Sequence, residues 1–73
     1  MSVVKVITII GSSEQSFAKA ADEAVRTAQK TIRNITGVDV VSMTATASPD
    51  PGGIKEYRTT VNVAFVVEDP SGD

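Results

Sequence analysis

Residues 57–67 read Tyr-Arg-Thr-Thr-Val-Asn-Val-Ala-Phe-Val-Val, and their alternation decides the fold. Tyr57, Thr59, Val61, Val63, Phe65 and Val67 form a largely apolar row, whereas Arg58, Thr60, Asn62, Ala64 and Val66 form a more polar one. Successive side chains of a strand point to opposite faces, so a sustained period of two predicts a half-buried β-strand. The β-branched and aromatic residues of the stretch suit a pleated, half-buried surface. Neither Gly nor Pro interrupts it, so every N–H is free to pair and the strand is expected at the centre of a sheet.

The segment before this strand, Ser48-Pro49-Asp50-Pro51-Gly52-Gly53, has the composition of a turn. Ahead of it, residues 38–47 alternate as a second strand, with Val38, Val40, Ser42, Thr44 and Thr46 on one side and Asp39, Val41, Met43, Ala45 and Ala47 on the other. Residues 3–10 form the first strand. Val4, Val6, Thr8 and Ile10 point one way, and Val3, Lys5, Ile7 and Ile9 the other. Both of its faces carry aliphatics, and one helix covers only one of them. The other face is therefore expected to meet another subunit.

Gly11-Ser12-Ser13 is expected to end that strand and open a helix, with Ser12 and Gln15 as a capping box and Glu14 at the positive helix end. Phe17, Ala20, Ala21, Ala24, Val25, Ala28 and Ile32 then recur at helical spacing, which predicts an amphipathic helix running to about Arg33 or Asn34. Its stripe is mostly alanine, so it can lie close to the sheet. Lys19, Asp22, Glu23, Arg26, Gln29, Lys30 and Arg33 form the solvated side, with Asp22 and Arg26 spaced for an ion pair. Asn34-Ile35-Thr36-Gly37 is the exit, where Gly37 is expected to supply a left-handed turn residue. The polar residues 68–73 are expected to fray.

The order β-α-β-β makes residues 1–73 a single α+β domain. A helix that returns along the sheet leaves the first two strands parallel. With the third strand between them every pairing becomes antiparallel, which gives the order 1-3-2 around one helix. Both outer strands then leave open edges that neighbouring chains are expected to protect.

A chain of 73 residues buries little of its surface and is marginal alone. It has no Cys for disulfides and no His for the commonest metal ligand, so oligomerisation is the expected way to complete the core. The net charge of −2 and pI near 4.9 argue against a nucleic-acid partner. No apolar run reaches the roughly 20 residues of a membrane span. With no signal-peptide pattern at the N-terminus, a soluble cytoplasmic homo-oligomer is expected.

Catalytic constellations are missing. Without His or Cys, the usual Ser–His and Cys–His nucleophile pairs cannot be built. Gly11-Ser12-Ser13 lacks the several glycines of a phosphate-binding loop. Asp50-Pro51-Gly52-Gly53 lacks the alternating acids of a calcium loop. Glu14, Asp22, Glu23, Asp39 and Glu56 are too scattered to form a cage in one chain, but copies gathered at a symmetry axis would form one. The residues read as a small oligomeric binding or structural domain, not an enzyme.

Several stretches resemble one known family, the dodecins. Ile9-Ile10-Gly11-Ser12-Ser13 resembles their hydrophobic-x-Gly-Thr/Ser-Ser opening. Phe17, Ala21, Ala24 and Ala28, followed by Lys30-Thr31-Ile32-Arg33-Asn34-Ile35, resemble their helix and its exit. Val38-Asp39-Val40 resembles the start of their second strand, and Ile54-Lys55-Glu56-Tyr57 with Val61-Asn62-Val63-Ala64-Phe65 resembles the third. The resemblance covers roughly residues 3–68. It implies a hollow homododecamer of cubic symmetry that binds riboflavin or FMN, in some members coenzyme A, for storage or sequestration without turnover.

The positions that carry flavin in the family differ here. The Trp that stacks on the isoalloxazine ring is matched by Gly37, followed by Val38. The Gln that bonds the flavin edge is matched by Arg58, and an Arg after the third-strand Phe is matched by Val66. By the resemblance, Gly37, Val38 and Arg58 are the ligand positions. Arg58 suits a phosphate or carboxylate, or an ion pair to Asp39 or Glu56 of a neighbour. A subgroup without the Trp binds calcium and is similar to this chain in these replacements. Glu14, Asp39 and Glu56, gathered at symmetry axes, are the metal-ligand candidates.

Overall fold

A computed structural model describes residues 3–67. The chain runs β1 (Val3–Ser13), α1 (Phe17–Gln29), β2 (Ile35–Ala47) and β3 (Ile54–Val67). The three strands form one antiparallel sheet in the order β1-β3-β2. The stretch that decides the fold is central, as its uninterrupted alternation requires. Its odd row faces the helix, with Thr59, Val61 and Val63 buried. Residues 68–73, expected to fray, lie outside the described residues.

The buried apolar core is small. Ala20, Ala24 and Ala28 of α1 lie on Val61 and Val63, with Ile7, Ile9, Ala21 and Ile35 packed at the margin. Alanine lets the helix come close, and Gly11 lets it come closer. Gly11 pairs with Thr59 on the inner face, where a Cβ would overlap the Ala20 carbonyl oxygen and stand 2.9 Å from the Ala24 Cβ. Gly11 is therefore a buried strand residue, not the end of a strand. Glycine within a strand marks close approach of another backbone, and β1 continues through Ser12 and Ser13.

The helix consequently starts later than the capping pattern at Ser12 suggests. Ser16 is the N-cap, with its Oγ accepting from the Lys19 N–H at 3.0 Å. Ser13 instead accepts from the Gln15 N–H at 2.9 Å in the preceding bend. Thr59 ties this end of the helix to the sheet. Its buried hydroxyl donates to the Phe17 carbonyl at 2.8 Å, which satisfies a group that would be costly to bury alone. Phe17 also meets Tyr57 edge to face, with ring centroids 4.9 Å apart.

The helix also ends sooner than the apolar spacing suggests. Beyond Gln29 the chain makes one more turn, closed by the Ile32 N–H on the Ala28 carbonyl at 2.8 Å. Asn34 then takes the left-handed conformation, φ 64°, and its carbonyl accepts from the Val66 N–H. Asparagine tolerates that region better than most residues. Gly37 is thus not the turn residue. It lies inside β2 opposite Ala64, just after a register slip at Thr36.

A second slip changes the expected alternation of β2. Val40 faces Val61 and Ser42 faces Thr60, so Val41 is the extra residue of a bulge. Beyond it Met43 and Ala45, not Ser42 and Thr44, share the helix side with Val38 and Val40. The β2–β3 turn uses Gly52 and Gly53 at positive φ and closes through the Ser48 N–H on the Gly53 carbonyl.

Much apolar surface stays open. The helix lies over β1 and β3 and barely reaches β2, so Val40 is 56% and Met43 58% exposed. On the outer face Val6 is 58% and Ile10 65% exposed. A slab of 58 × 20 × 12 Å with so few buried side chains does not complete a core alone.

Candidate functional site

The outer face of the sheet is ordered by register into rows across the strands. Val6, Ala64 and Gly37 form one row, then Thr8, Asn62 and Asp39, then Ile10, Thr60 and Ser42, then Ser12, Arg58 and Thr44. Side chains directly opposite in a sheet are near neighbours, so each row is a local cluster. The first row is apolar and the other three are largely polar.

Gly37 sits in the apolar part of this face. A Cβ built there meets nothing within 4 Å. A recess of about 350 Å³ opens beside it, lined by Val6, Gly37, Val38, Asp39, Asn62 and Ala64. The Thr8 hydroxyl donates to Asn62 Oδ1 at 2.6 Å and fixes that side chain at the recess wall. A larger recess of about 490 Å³ lies between β1 and α1 over Ile7, Ile9, Ala28 and Ile32. It is the open flank of the core, and Ser12, Glu23, Thr27 and Thr31 also line it.

The expected ligand positions do not converge within one protomer. Val38 pairs with Val63 and so points to the helix side, away from Gly37. Arg58 shares the outer face with Gly37, but Gly37 stands opposite Ala64, six residues along β3, or roughly 20 Å. The Arg58 Nε donates to Oε1 of Glu56 in the same chain at 2.8 Å. The partner is thus its own i−2 residue, and with half of Arg58 exposed such a pair contributes about 0–1 kcal/mol.

The carboxylates are likewise spread. Ser13 pairs with Tyr57, so Glu14 and Glu56 are the next positions beyond that pair, at one end of the sheet. Asp39 pairs with Asn62, much further along. Among the described residues no three acidic side chains come together in the protomer. The expected Asp22–Arg26 pair forms at 2.7 Å on the solvated helix face. There the hydrogen bond with Asp22, and then its charge, hold the Arg26 guanidinium above its ordinary value. Among the described residues no helix is long and apolar enough to cross a membrane.

All three aromatic residues lie on the helix side. Tyr57 and Phe65 belong to the inner row of β3, and Phe17 packs on Tyr57. The outer face therefore has no ring on which a flat ligand could stack. The recess beside Gly37, with its carboxylate and carboxamide, is what sequence reasoning missed. Asn62 and Thr8 read there as strand alternation, and only the register brings them beside Asp39.

These features define a small α+β binding protein whose sheet leaves apolar faces open to other copies. The Dodecin family model matches residues 3–68. The chain is 30% identical over 67 residues to the dodecin of Thermus thermophilus, covering 92% of this chain and 94% of that protein. It is 38% identical over 65 residues to a calcium dodecin of Mycobacterium tuberculosis, covering 89% of each. The crystal structure of a Thermus thermophilus dodecin variant superposes with a TM-score of 0.88 at 29% identity, covering 94% of this chain and 100% of that one. The chain belongs to the dodecin family. Dodecins are known as non-enzymatic proteins that bind small ligands, and the dodecamer is their known assembly.

Proposed function

We propose that this chain builds a hollow dodecamer that binds a small ligand without turning it over, and that the ligand is a calcium ion rather than a stacked flavin. The observation that carries this reading is the outer face at Gly37, which holds open space and no aromatic ring. The residues present do not fit a stacked isoalloxazine. The name of the Mycobacterium tuberculosis relative, calcium dodecin, supports a cation.

Glu14 and Glu56 are the better-placed carboxylates, because they leave the sheet at the same level. One protomer offers too few oxygens for the six to eight that calcium takes, so copies around a symmetry axis would complete the set. Asp39, at the far end of β3 from this pair, would need a different axis. Arg58 would have to release Glu56 or share it.

Calcium at a hundredfold excess over its Kd should stabilise the folded assembly by about 2.7 kcal/mol. The expected result is a Tm rise on the order of ten degrees, largely lost in Glu56→Gln, with no rise on adding riboflavin. A riboflavin-dependent rise without a calcium-dependent one would contradict the reading. Flavin storage is the second reading; it rests on the family and would need the flavin held beside Gly37 without a stacking ring. Coenzyme A has weaker support, with Val66 at the family's Arg position.

A further inference from the structure

We draw no further inference here: the strongest candidate, the recess of about 490 Å³ between β1 and α1 lined by Ile7, Ile9, Ala28 and Ile32, is an open apolar flank beside the outer edge of β1, and nothing in the structure shows what covers it.

Discussion

Replacing Gly11 by alanine should cost about 3 kcal/mol, at the upper end of what overpacking costs, and Gly11→Val should leave no folded protomer. The reason is which atom stands in the way. A Cβ at Gly11 would overlap the Ala20 carbonyl oxygen, which belongs to the helix backbone and cannot swing aside as a side chain can. Ala24 Cβ, 2.9 Å away, blocks the other escape. The helix would have to lift from β1, and lifting it opens the packing of Ala20, Ala24 and Ala28 on Val61 and Val63, which among the described residues is the whole buried apolar core. Gly37→Ala is the control. A Cβ there meets nothing and the backbone is not left-handed, so its stability should stay within about 0.5 kcal/mol of the parent. Urea unfolding of the two variants at equal protein concentration reads the difference. Similar midpoints would show that the helix does not bear on β1 as described.

Gly37→Trp should raise riboflavin affinity on the order of a hundredfold, about 3 kcal/mol. Ring stacking supplies ~0.5–1.5 kcal/mol of this beyond burial, and the covered apolar area supplies the rest. The substitution puts a large ring on the outer face, where open space waits and no native aromatic residue competes. Quenching of riboflavin fluorescence measures the gain. An unchanged Kd in a well-folded variant would show that the surroundings of Gly37 no longer frame a flavin even when the ring is restored.

The parts of this molecule legible in its sequence are those fixed by periodicity. The period of two in β3 and the alanine stripe of α1 are averages over many residues, so no single exception upsets them. They place the central strand, its inner face and the helix that covers it, and the order β1-β3-β2 follows from connectivity. The misread parts each turn on one residue with two possible uses. Gly11 reads as a strand stop, yet its missing side chain serves a close contact inside the sheet. Ser12 and Ser16 can both cap a helix, and the buried course of β1 through Gly11 selects Ser16. Asn34 and Gly37 can both turn the chain, and Asn34 does so because β2 begins at Ile35. The bulge at Val41 leaves no mark in composition at all.

The candidate site follows the same division. That no aromatic ring reaches the outer face could be read from the alternation of Tyr57, Phe65 and their neighbours. That Gly37 and Arg58 stand some six strand positions apart, and that Asp39, Asn62 and Thr8 form one row, depends on the register of three strands. Register is set by long-range pairing and by the bulges at Thr36 and Val41, which local patterning does not encode.

Native mass spectrometry of the protein purified without added ligand, then exposed to calcium and riboflavin in turn, tests the central claim most directly. The expected result is a particle of about twelve times the 7.6 kDa chain, carrying added mass in steps of a calcium ion and none from riboflavin. A monomer or dimer would contradict the proposed assembly. A twelve-chain particle that retains riboflavin and ignores calcium would contradict the choice of ligand.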